Sequence, residues 1–419
     1  MKLKLETEFQ ETDIGKIPKE WRIERLERVV KYVKGRKPNN LYDEKLSEKH
    51  LPYLTAEYMR GLDKPKWCDP DLESNIIKVS SDDVIMIWDG SYAGHVFTGF
   101  EGILASTMVK ITPIIDLDKK FLYYYLVFNF EKFRATTVGT GIPHVNKRIF
   151  KEFPIPILPI HEQEKISEIL LLVDKVINSV DESVARLERL KKALMNELLT
   201  GRIRVNEENG KLVFHRETEF QETEIGKIPR NWKIVRLKDI VGPRKEIAEP
   251  TQVEPSMLYV GLEHIMPREV ELKRFGRAGD VKSSKFKFYK KDILYGRLRP
   301  YLDKAVISTV DGICSTDIIV MKTKQGVIPE FLIWILHTDR FVKYATQTMR
   351  GTNHPRTSWE SLANFILGLP PIDEQKAIAN ILFTIEKLKD LYNEKKEKLN
   401  RLKRGLMDLL LTGRVRVLE

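Results

Sequence analysis

The chain has 419 residues, enough for two or three domains, and a hydrophobic share of 42% is sufficient for ordinary cores. Only two cysteines are present, Cys68 and Cys314, and their isolation excludes a disulfide framework or a zinc ribbon and favours a reducing, cytoplasmic compartment. The net charge of +11 suits a polyanionic partner such as nucleic acid, and no apolar run reaches the roughly 18 residues that a membrane span needs.

Each half of the chain opens with almost the same sequence. Residues 6–18 read ETEFQETDIGKIP and residues 217–229 read ETEFQETEIGKIP, an offset of 211. Trp21 is then matched by Trp232. The chain is therefore a tandem duplication, and its other features are best compared half against half.

The sequences between the shared segments differ from one half to the other. Both halves contain short β-rich runs, at 84–88 and 293–295, and both continue into helical runs, at 121–133 and 330–344. These patterns predict a compact mixed α+β globule in each half.

A second repeated segment closes each globule. Residues 139–146 read GTGIPHVN and residues 351–358 read GTNHPRTS, an offset of 212. Glycine and proline predict a loop of fixed shape, and its Thr, His and Arg side chains offer hydrogen-bond donors. We refer to these two segments as the shared loops.

Each shared loop leads into a long stretch with helical periodicity, from Pro159 in the first half and from Pro371 in the second. Each stretch ends at a Leu-Leu-Thr-Gly-Arg run and should form a helix of about 36–40 residues. Apolar residues at alternating steps of four and three predict a coiled-coil seam, so we expect the helices to pack together in opposite directions. Two helices in separate bundles remain the alternative. The predicted seams comprise Val173, Ile177, Val180, Val184, Leu187, Lys191, Leu194 and Leu198 in the first helix, and Leu388, Tyr392, Lys395, Leu399, Leu402, Leu406 and Leu409 in the second.

The segment that joins the halves, residues 203–216, reads as a hairpin around Asn209-Gly210. Residues 415–417 match its first strand and residues 2–5 its second. We therefore predict that the two ends of the chain pair as a split hairpin, which gives a closed ring of two halves with pseudo-twofold symmetry.

We find no catalytic signature: no phosphate-binding P-loop, no dinucleotide-binding turn and no metal-ligand spacing. This favours a binder or a scaffold over an enzyme. A nuclease that uses acids such as Asp71, Glu73 and Asp89 is one alternative. A two-globule adaptor that reads no bases is the other.

Charge supports nucleic-acid binding in the second half more than in the first. Residues 242–304 hold 14 Lys and Arg against 9 Asp and Glu, whereas residues 31–91 hold 10 against 11. Arginine can pair with guanine edges or clamp phosphates, although any single one can equally belong to a solvated face. Lys34, Lys64, Trp67 and Trp88 are further possible contacts in the first half. The principal candidate DNA-binding residues are Arg36, Lys37, Arg60, Lys66, Thr140, His144, Lys147, Arg244, Lys245, Arg274, Arg277, Arg297, Arg299, Thr352, His354 and Arg356.

Several repeated motifs together resemble one known family. They are Ile17-Pro18-x-x-Trp21 with Leu26, Ile228-Pro229-x-x-Trp232 with Leu237, Gly139-Thr140-x-x-Pro143, Gly351-Thr352-x-x-Pro355-Arg356, Pro159-Ile160-x-Glu162-Gln163, Pro371-Ile372-x-Glu374-Gln375 and the two Leu-Leu-Thr-Gly-Arg exits. Each motif is weak alone, but their order, duplication and spacing resemble the specificity subunit of a type I restriction–modification enzyme. One departure is His144-Val145, where many members have Arg-Ile or Arg-Val.

The resemblance implies an α+β fold in which two mixed α/β target-recognition domains are joined by two long antiparallel coiled-coil helices. It places the first domain at 1–158, the first helix at 159–202, the second domain at 203–370 and the second helix at 371–419. Each domain would read one part of a split double-stranded DNA site, with the helices as a ruler for the gap.

The family also implies partners and cofactors. Two methyltransferase subunits would bring S-adenosylmethionine and methylate adenine, and restriction subunits that use ATP and Mg could join them. The chain itself would carry no catalytic residue, cofactor or metal.

Overall fold

The computed structural model describes residues 2–139, 141–249, 253–280 and 283–418. The chain divides into two compact units. Unit 1 consists of Met1–Asp181 with Glu394–Glu419, and unit 2 consists of Glu182–Asn393. Both boundaries fall within long helices, so each unit contains one end of each helix.

Thirteen strands and six helices lie in the first half of the described chain. The strands are β1 (Lys2–Leu5), β2 (Phe9–Thr12), β3 (Gly15–Pro18), β4 (Arg22–Arg25), β5 (Val30–Lys34), β6 (Leu51–Leu54), β7 (Lys66–Cys68), β8 (Lys78–Val79), β9 (Val84–Ile87), β10 (Val96–Phe97), β11 (Gly102–Leu104), β12 (Met108–Pro113) and β13 (Pro154–Ile157). The helices are α1 (Leu26–Val29), α2 (Ala56–Met59), α3 (Lys119–Phe128), α4 (Phe130–Ala135), α5 (Lys147–Glu152) and α6 (Ile160–Leu198).

The second half repeats this succession with its own variations. Its strands are β14 (Ile203–Glu208), β15 (Lys211–Arg216), β16 (Phe220–Thr223), β17 (Gly226–Pro229), β18 (Lys233–Arg236), β19 (Val241–Arg244), β20 (Ile247–Ala248), β21 (Leu258–Val260), β22 (Gly276–Arg277), β23 (Lys285–Phe288), β24 (Ile293–Gly296), β25 (Ala305–Ile307), β26 (Gly312–Cys314), β27 (Ile318–Thr323), β28 (Ile366–Leu369) and β29 (Val415–Leu418). Its helices are α7 (Leu237–Ile240), α8 (Pro329–Leu336), α9 (Asp339–Gln347), α10 (Trp359–Leu362) and α11 (Ile372–Leu411), with short 3-10 turns that include Pro300–Leu302.

The two globules share a strand topology although their sequences differ. Each has a four-stranded antiparallel sheet, in the order β5-β12-β9-β10 in unit 1 and β19-β27-β24-β25 in unit 2. Each also has a second sheet with one parallel pair, β6 with β11 and β21 with β26. The prediction of a mixed α+β globule in each half is therefore confirmed, including strands at 84–87 and 293–296.

The helical runs predicted after these strands are wrong in one respect, because each is two helices rather than one. α3 ends at Phe128 and α4 begins at Phe130. The Asn129 side chain between them donates to the Tyr125 carbonyl at 2.9 Å. In unit 2 the break lies between α8 and α9, where the Thr338 hydroxyl accepts the Phe341 amide at 3.3 Å. Both polar side chains bond to the backbone at the break, which periodicity alone does not reveal.

The two long helices have the expected lengths, 39 residues for α6 and 40 for α11. Both begin directly after the predicted prolines. The seam predicted for α6 is confirmed, because none of its residues is exposed. Ile177, Val180 and Leu198 are buried among them.

The seam predicted for α11 is wrong at four of its seven positions, one lysine and three leucines. Lys395 is exposed. Leu388, Leu402 and Leu409 are 42%, 53% and 37% exposed. The lysines that directly follow Leu388 and Leu402 lie in the seam instead. The side chains of these residues, Lys389 and Lys403, are only 16% and 18% exposed. A lysine can bury its aliphatic stem in a seam while its ammonium group meets an acid, so the apolar pattern selected the wrong face.

Those lysines form a ladder of ion pairs between α6 and α11. Three lysines, seven residues apart on α11, each meet one of three acids that are seven residues apart on α6. The pairs are Asp174–Lys403 at 2.6 Å and Asp181–Lys396 at 2.5 Å in unit 1, and Glu188–Lys389 at 2.8 Å in unit 2. In unit 2, Lys191 of α6 also pairs with Glu386 of α11 at 2.9 Å. As residue numbers rise along α6 they fall along α11 within each unit, which confirms antiparallel packing.

A buried carboxylate near the start of each long helix joins three parts of its unit. In unit 1 the Glu162 carboxylate accepts two hydrogen bonds from Arg416 on β29, at 2.7 and 2.9 Å, and one from the Trp21 indole at 3.3 Å. Unit 2 repeats the arrangement with Glu374, Arg204 and Trp232. The shared start, the terminal strand and the helix are thus fixed to one another.

Both hairpin predictions are confirmed. β14 pairs with β15 around Asn209 and Gly210, whose φ angles of 51° and 73° fit a type I′ turn. In unit 1, β1 pairs antiparallel with β29, from Lys2 opposite Leu418 to Leu5 opposite Val415. None of the helices in the described ranges combines the length and apolarity needed to cross a bilayer.

Candidate nucleic-acid interface

The shared loop closes on itself at its base in the same way in each unit. In unit 1, Val138 and His144 exchange two backbone hydrogen bonds of 3.0 and 2.8 Å. In unit 2, Arg350 and Arg356 exchange two of 2.8 and 2.9 Å. These pairs are 212 residues apart, so His144 and Arg356 occupy equivalent positions. Thr140, a predicted contact in this loop, lies outside the described residues.

Each shared loop is held against the segment that follows one strand of the four-stranded sheet. In unit 1 the Gly90 amide donates to the Pro143 carbonyl at 2.8 Å, and the Val145 amide donates to the Trp88 carbonyl at 2.9 Å. The same two bonds recur in unit 2, from Arg299 to Pro355 at 2.8 Å and from Thr357 to Arg297 at 3.0 Å. Three predicted arginines of unit 2, at 297, 299 and 356, are thereby brought together.

An acid lies at the centre of the unit 2 cluster. Asp317, in the turn before β27, accepts two hydrogen bonds from Arg356, from Nε at 2.7 Å and from Nη2 at 3.0 Å. Arg297 Nε lies 3.6 Å from the same carboxylate. The Arg356 hydrogen bonds, and secondarily the charges of both arginines, hold the pKa of Asp317 below its usual value. The carboxylate is therefore ionised at neutral pH and fixes the Arg356 guanidinium.

Lys245 lies on the same side of unit 2. The pKa of Glu360 is lowered by its own backbone amide and by the Ser358 hydroxyl, with further contributions from the charges of Lys245 and Arg297. Lys245 is exposed. It therefore adds a cation beside the arginine cluster.

The remaining predicted residues of this face lie on its loops. Arg299 adopts a left-handed backbone with φ of 51°, immediately before the turn Pro300–Leu302. Such a conformation costs a non-glycine residue roughly 1–2 kcal/mol, so the surrounding bonds must hold it in place. Thr352 and His354 are exposed in the shared loop.

Unit 1 presents different side chains in the equivalent place. His144 Nδ1 lies 2.8 Å from Asp89 Oδ1, and Lys34 Nζ lies 2.7 Å from Asp89 Oδ2. Trp88, at the position of Arg297, stacks on Tyr32 with ring centroids 5.0 Å apart. Trp88 is buried in the core, so its prediction as a base contact is wrong. This face therefore combines one acid and two basic groups.

The other predicted residues of unit 1 are exposed or paired near its surface. Arg60 lies over the Tyr92 ring at 3.4 Å, and Lys66 lies 3.6 Å from Asp43. The remaining three, all exposed, are Arg36 and Lys37 directly after β5 and Lys147 at the start of α5.

A family model for the type I restriction modification DNA specificity domain matches residues 18–189 and 229–401. The two matches together cover most of the chain and contain one globule each. The chain belongs to this family. It is a specificity subunit of a type I restriction–modification system.

Named relatives agree along almost the full length. The MjaVIII specificity subunit of Methanocaldococcus jannaschii is 30% identical over 425 residues, covering 98% of this chain and 97% of the relative. The EcoDI specificity subunit of Escherichia coli is 25% identical over 386 residues, covering 87% and 81%. The crystal structure of an S subunit from M. genitalium shares the fold, with a TM-score of 0.58 at 14% identity and coverage of 93% and 96%.

Three predicted DNA contacts of this specificity subunit are engaged within unit 2. Arg244 binds Asp292 at 2.8 and 3.3 Å and Glu246 at 2.8 Å, and it stacks on Tyr289 at 4.4 Å. Its side chain is only 17% exposed, and its Nε, Nη1 and Nη2 atoms are all engaged within unit 2.

The other two, Arg274 and Arg277, are more accessible. Arg274 donates to both oxygens of Glu269 at 3.0 Å, and Arg277 donates to the Ser256 carbonyl at 2.7 Å. All three arginines stay predictions as DNA contacts, with fewer free donors than Arg299.

The acids of a specificity subunit are easily missed from sequence. Asp317 was not among the predicted site residues, since a search for cations passes over a carboxylate. Asp89 was considered only as a nuclease acid, together with Asp71 and Glu73. Each of the three has its own partners, for example Lys49 for Asp71 and the Asn39 amide for Glu73. Within the described ranges no group of three potential metal ligands is found.

Proposed function

We propose that each unit reads one part of a bipartite double-stranded DNA site through its shared loop and the strand-end segment beneath it. The reading domains would be residues 1–158 and 203–370. The observation that carries the proposal is that the same backbone bonds present unlike side chains in the two units. A fixed frame with exchangeable side chains suits a protein that reads two different short sequences.

The chemistry of the two faces supports this function. Arg297, Arg299 and Arg356 supply donors that suit guanine edges or phosphates, and Lys245 suits phosphates. In unit 1, Arg36, Lys37 and Lys147 would provide the charge, while His144 would face the bases. Arg60 and Lys66 would contact the sugar-phosphate backbone of the DNA at the edge of this protein face.

A selection experiment tests the proposal. The full chain, assembled with its methyltransferase subunits, is incubated with random-sequence duplexes at physiological salt, and the bound DNA is sequenced. We expect two short words at a fixed separation. Equal recovery of all sequences would overturn base reading and favour the adaptor, because non-specific binding depends on charge alone.

We also propose the partners and cofactors that the family implies. Two methyltransferase subunits would dock on this chain and supply S-adenosylmethionine for adenine methylation, and restriction subunits would use ATP and Mg. The complex would work in the cytoplasm, which agrees with the two reduced, buried cysteines.

Paired exposed apolar residues on the long helices support two docking sites. In unit 1, Val176 of α6 and Leu402 of α11 lie at nearly the same level of the antiparallel pair and are 37% and 53% exposed. In unit 2, Leu190 and Leu388 are 48% and 42% exposed at the equivalent level. One such spot in each unit would accept one copy of a partner.

Substitution of one leucine tests this docking. Leu402→Glu places a charge in the unit 1 spot, so the complex should retain one methyltransferase subunit instead of two, as measured by native mass spectrometry. Leu190→Glu should remove the other copy. Leu72→Glu, at a loop leucine that is 66% exposed, is the matched control and should retain both. Two bound subunits in all variants would contradict these docking sites.

A further inference from the structure

One position of the shared loop meets an acid in both units, although the acids come from different places. Arg356 is held by Asp317, which precedes β27. His144 is held by Asp89, which follows β9. The equivalent of Asp317 in unit 1 is Thr107: the Trp88 amide donates to the Thr107 carbonyl at 2.8 Å, as the Arg297 amide does to the Asp317 carbonyl at 2.9 Å. In both units a basic side chain of the shared loop is thus held by a carboxylate, but the carboxylate comes from a different position in each unit.

The arrangement leaves part of each basic group free. Arg356 uses three of the five N–H donors of a guanidinium, two with Asp317 and one with the His354 carbonyl at 3.3 Å. Two donors remain for another molecule. His144 uses Nδ1 with Asp89, so Nε2 is the nitrogen left for a further contact. The two side chains are 36% and 46% exposed.

Neither fold stability nor DNA affinity explains the acids. A partly exposed ion pair contributes little to stability. A carboxylate at a DNA-binding face repels phosphates and lowers non-specific affinity. Its evident effect is to hold a flexible side chain in one orientation before DNA arrives, which reduces the ordering cost of binding and sharpens the choice of partner.

We propose that Arg356 and His144 each read one base pair, and that Asp317 and Asp89 are the positioning residues that orient them. This inference rests on the proposed function of the two units as DNA readers. Arg356, with one donor left on each terminal nitrogen, takes the O6 and N7 acceptors of a guanine in the major groove. His144 offers a single nitrogen and therefore reads its base through one hydrogen bond.

The test is a reciprocal comparison of Asp317→Asn and Asp89→Asn in the full chain assembled with its methyltransferase subunits. Random-sequence duplexes are selected with each variant and with the unaltered protein. Asp317→Asn should relax the preference for guanine at one base pair of one word, by roughly 5- to 150-fold, and leave the other word unchanged. Asp89→Asn should relax one base pair of the other word only.

Arg356→Lys provides a second variant that keeps the charge but lacks the paired donors. It should relax the same base pair as Asp317→Asn, which separates reading from a general loss of charge. A uniform loss of affinity with unchanged words would overturn the proposal, since that result marks phosphate contacts. Loss at both words, or no change in either, would also overturn it.

The outcomes distinguish this inference from the proposed function. If the unaltered protein selects no two-part sequence, base reading itself fails before any variant is compared. If it selects two words that all three variants keep intact, base reading stands and only the roles of Arg356, His144 and their acids are refuted. Should Asp317→Asn fail to fold, Arg356→Lys still decides whether Arg356 reads a guanine in unit 2, and Asp89→Asn tests the positioning role of the acid in unit 1.

Discussion

The Glu162 carboxylate illustrates how one buried group can hold distant parts of the sequence together. It is 1% exposed and receives Arg416, the Trp21 indole and the Val417 amide, which come from both ends of the chain. Its equivalent Glu374 receives an arginine, Arg204, and an indole, that of Trp232, in unit 2. A charge buried this deeply is tolerated because a guanidinium, an indole and a main-chain amide donate to it.

We expect Glu162→Gln to destabilise unit 1 by about 3 kcal/mol, because it leaves the buried Arg416 without its main partner. The matched control is Glu20→Gln. Glu20 also bonds to Arg416, at 3.0 Å, but its side chain is 75% exposed. That substitution should change the free energy of unfolding by at most about 0.5 kcal/mol. Urea unfolding followed by tryptophan fluorescence measures both, and equal effects would contradict a special role for the buried carboxylate.

The site residues show what a sequence search for DNA contacts finds and what it misses. Arginines at 297, 299 and 356 were predicted because glycine, proline and repeated spacing indicated their loops. The structure brings the three together. Asp317 was missed, because nothing in the sequence distinguishes an acid that positions an arginine from one that is merely solvated. The sequence feature that could have pointed to Asp317 is the equivalence of His144 and Arg356 in the two shared loops. That equivalence indicates a positioning acid only once the structure shows a carboxylate beside each of the two side chains.

At the scale of elements, the ends of the long helices depend on glycine. Gly413 follows α11 with φ of +70°, and a Cβ placed there would lie 2.4 Å from Pro18 Cδ and 3.0 Å from the Trp21 ring. Gly405, within the same helix, has open space around it. The two glycines therefore differ in what an added methyl group would meet.

We predict opposite effects for alanine at these two positions. Gly413→Ala should lower stability by about 2 kcal/mol or more, through left-handed backbone strain and the clash with Pro18. Gly405→Ala should raise it by roughly 0.5–1 kcal/mol, because alanine loses less backbone entropy in a helix. Thermal unfolding of the two variants measures the difference, and a shift in the same direction for both would contradict the account.

The ion-pair ladder predicts that the charges of α6 and α11 compensate one another. Asp181→Lys alone places two lysines together, and Lys396→Asp alone places two acids together, so each should be destabilising. The double variant restores an ion pair and should recover about 0.5 kcal/mol or more of coupling energy. Glu164→Lys, alone and combined with Lys396→Asp, is the control, and that combination should recover nothing. The five variants are compared by thermal unfolding, and additive effects of Asp181→Lys and Lys396→Asp would contradict the ladder.

The ladder also explains why the α11 seam could be predicted only in part. Periodicity identified Tyr392, Leu399 and Leu406 correctly, and each is partly buried. It chose Leu388 and Leu402 over Lys389 and Lys403, since a hydrophobic pattern ranks leucine above lysine. The burial of those lysines depends on acids of α6, so the local pattern of α11 could not show it.

For the whole molecule, the pairing of β1 with β29 gives the two ends of the chain the same geometry as the internal hairpin. In the hairpin, Glu208 and Lys211 are the last paired residues before a two-residue turn. In the split pair, Leu418 and Lys2 are the outermost pair among the described residues. The sequence predicted this pairing because the duplicated strands fell at both ends.

We predict that a circular permutant will fold and bind DNA like the natural chain. In this permutant Leu418 and Lys2 are joined by Asn-Gly, and the new ends lie between Asn209 and Gly210. The new link reproduces a favoured turn, and the opened one leaves the flanking strands paired as β1 and β29 are. Thermal unfolding and the selected DNA words should match those of the unpermuted protein. A permutant opened inside α6, at Val184, is the control and should lose stability.

The shared loops are attached to their units by main-chain bonds alone at the points described, through the amides and carbonyls of 88, 90, 143 and 145 and of their counterparts. Main-chain bonds do not depend on which side chain stands at 144 or 356. Under the proposed reading of one base pair by that position, exchanging one side chain together with its companion acid would change the base recognised, while the backbone beneath stays as it is. A restriction system built on such a chain would then change its recognition sequence through a few substitutions, each confined to one half of the DNA site.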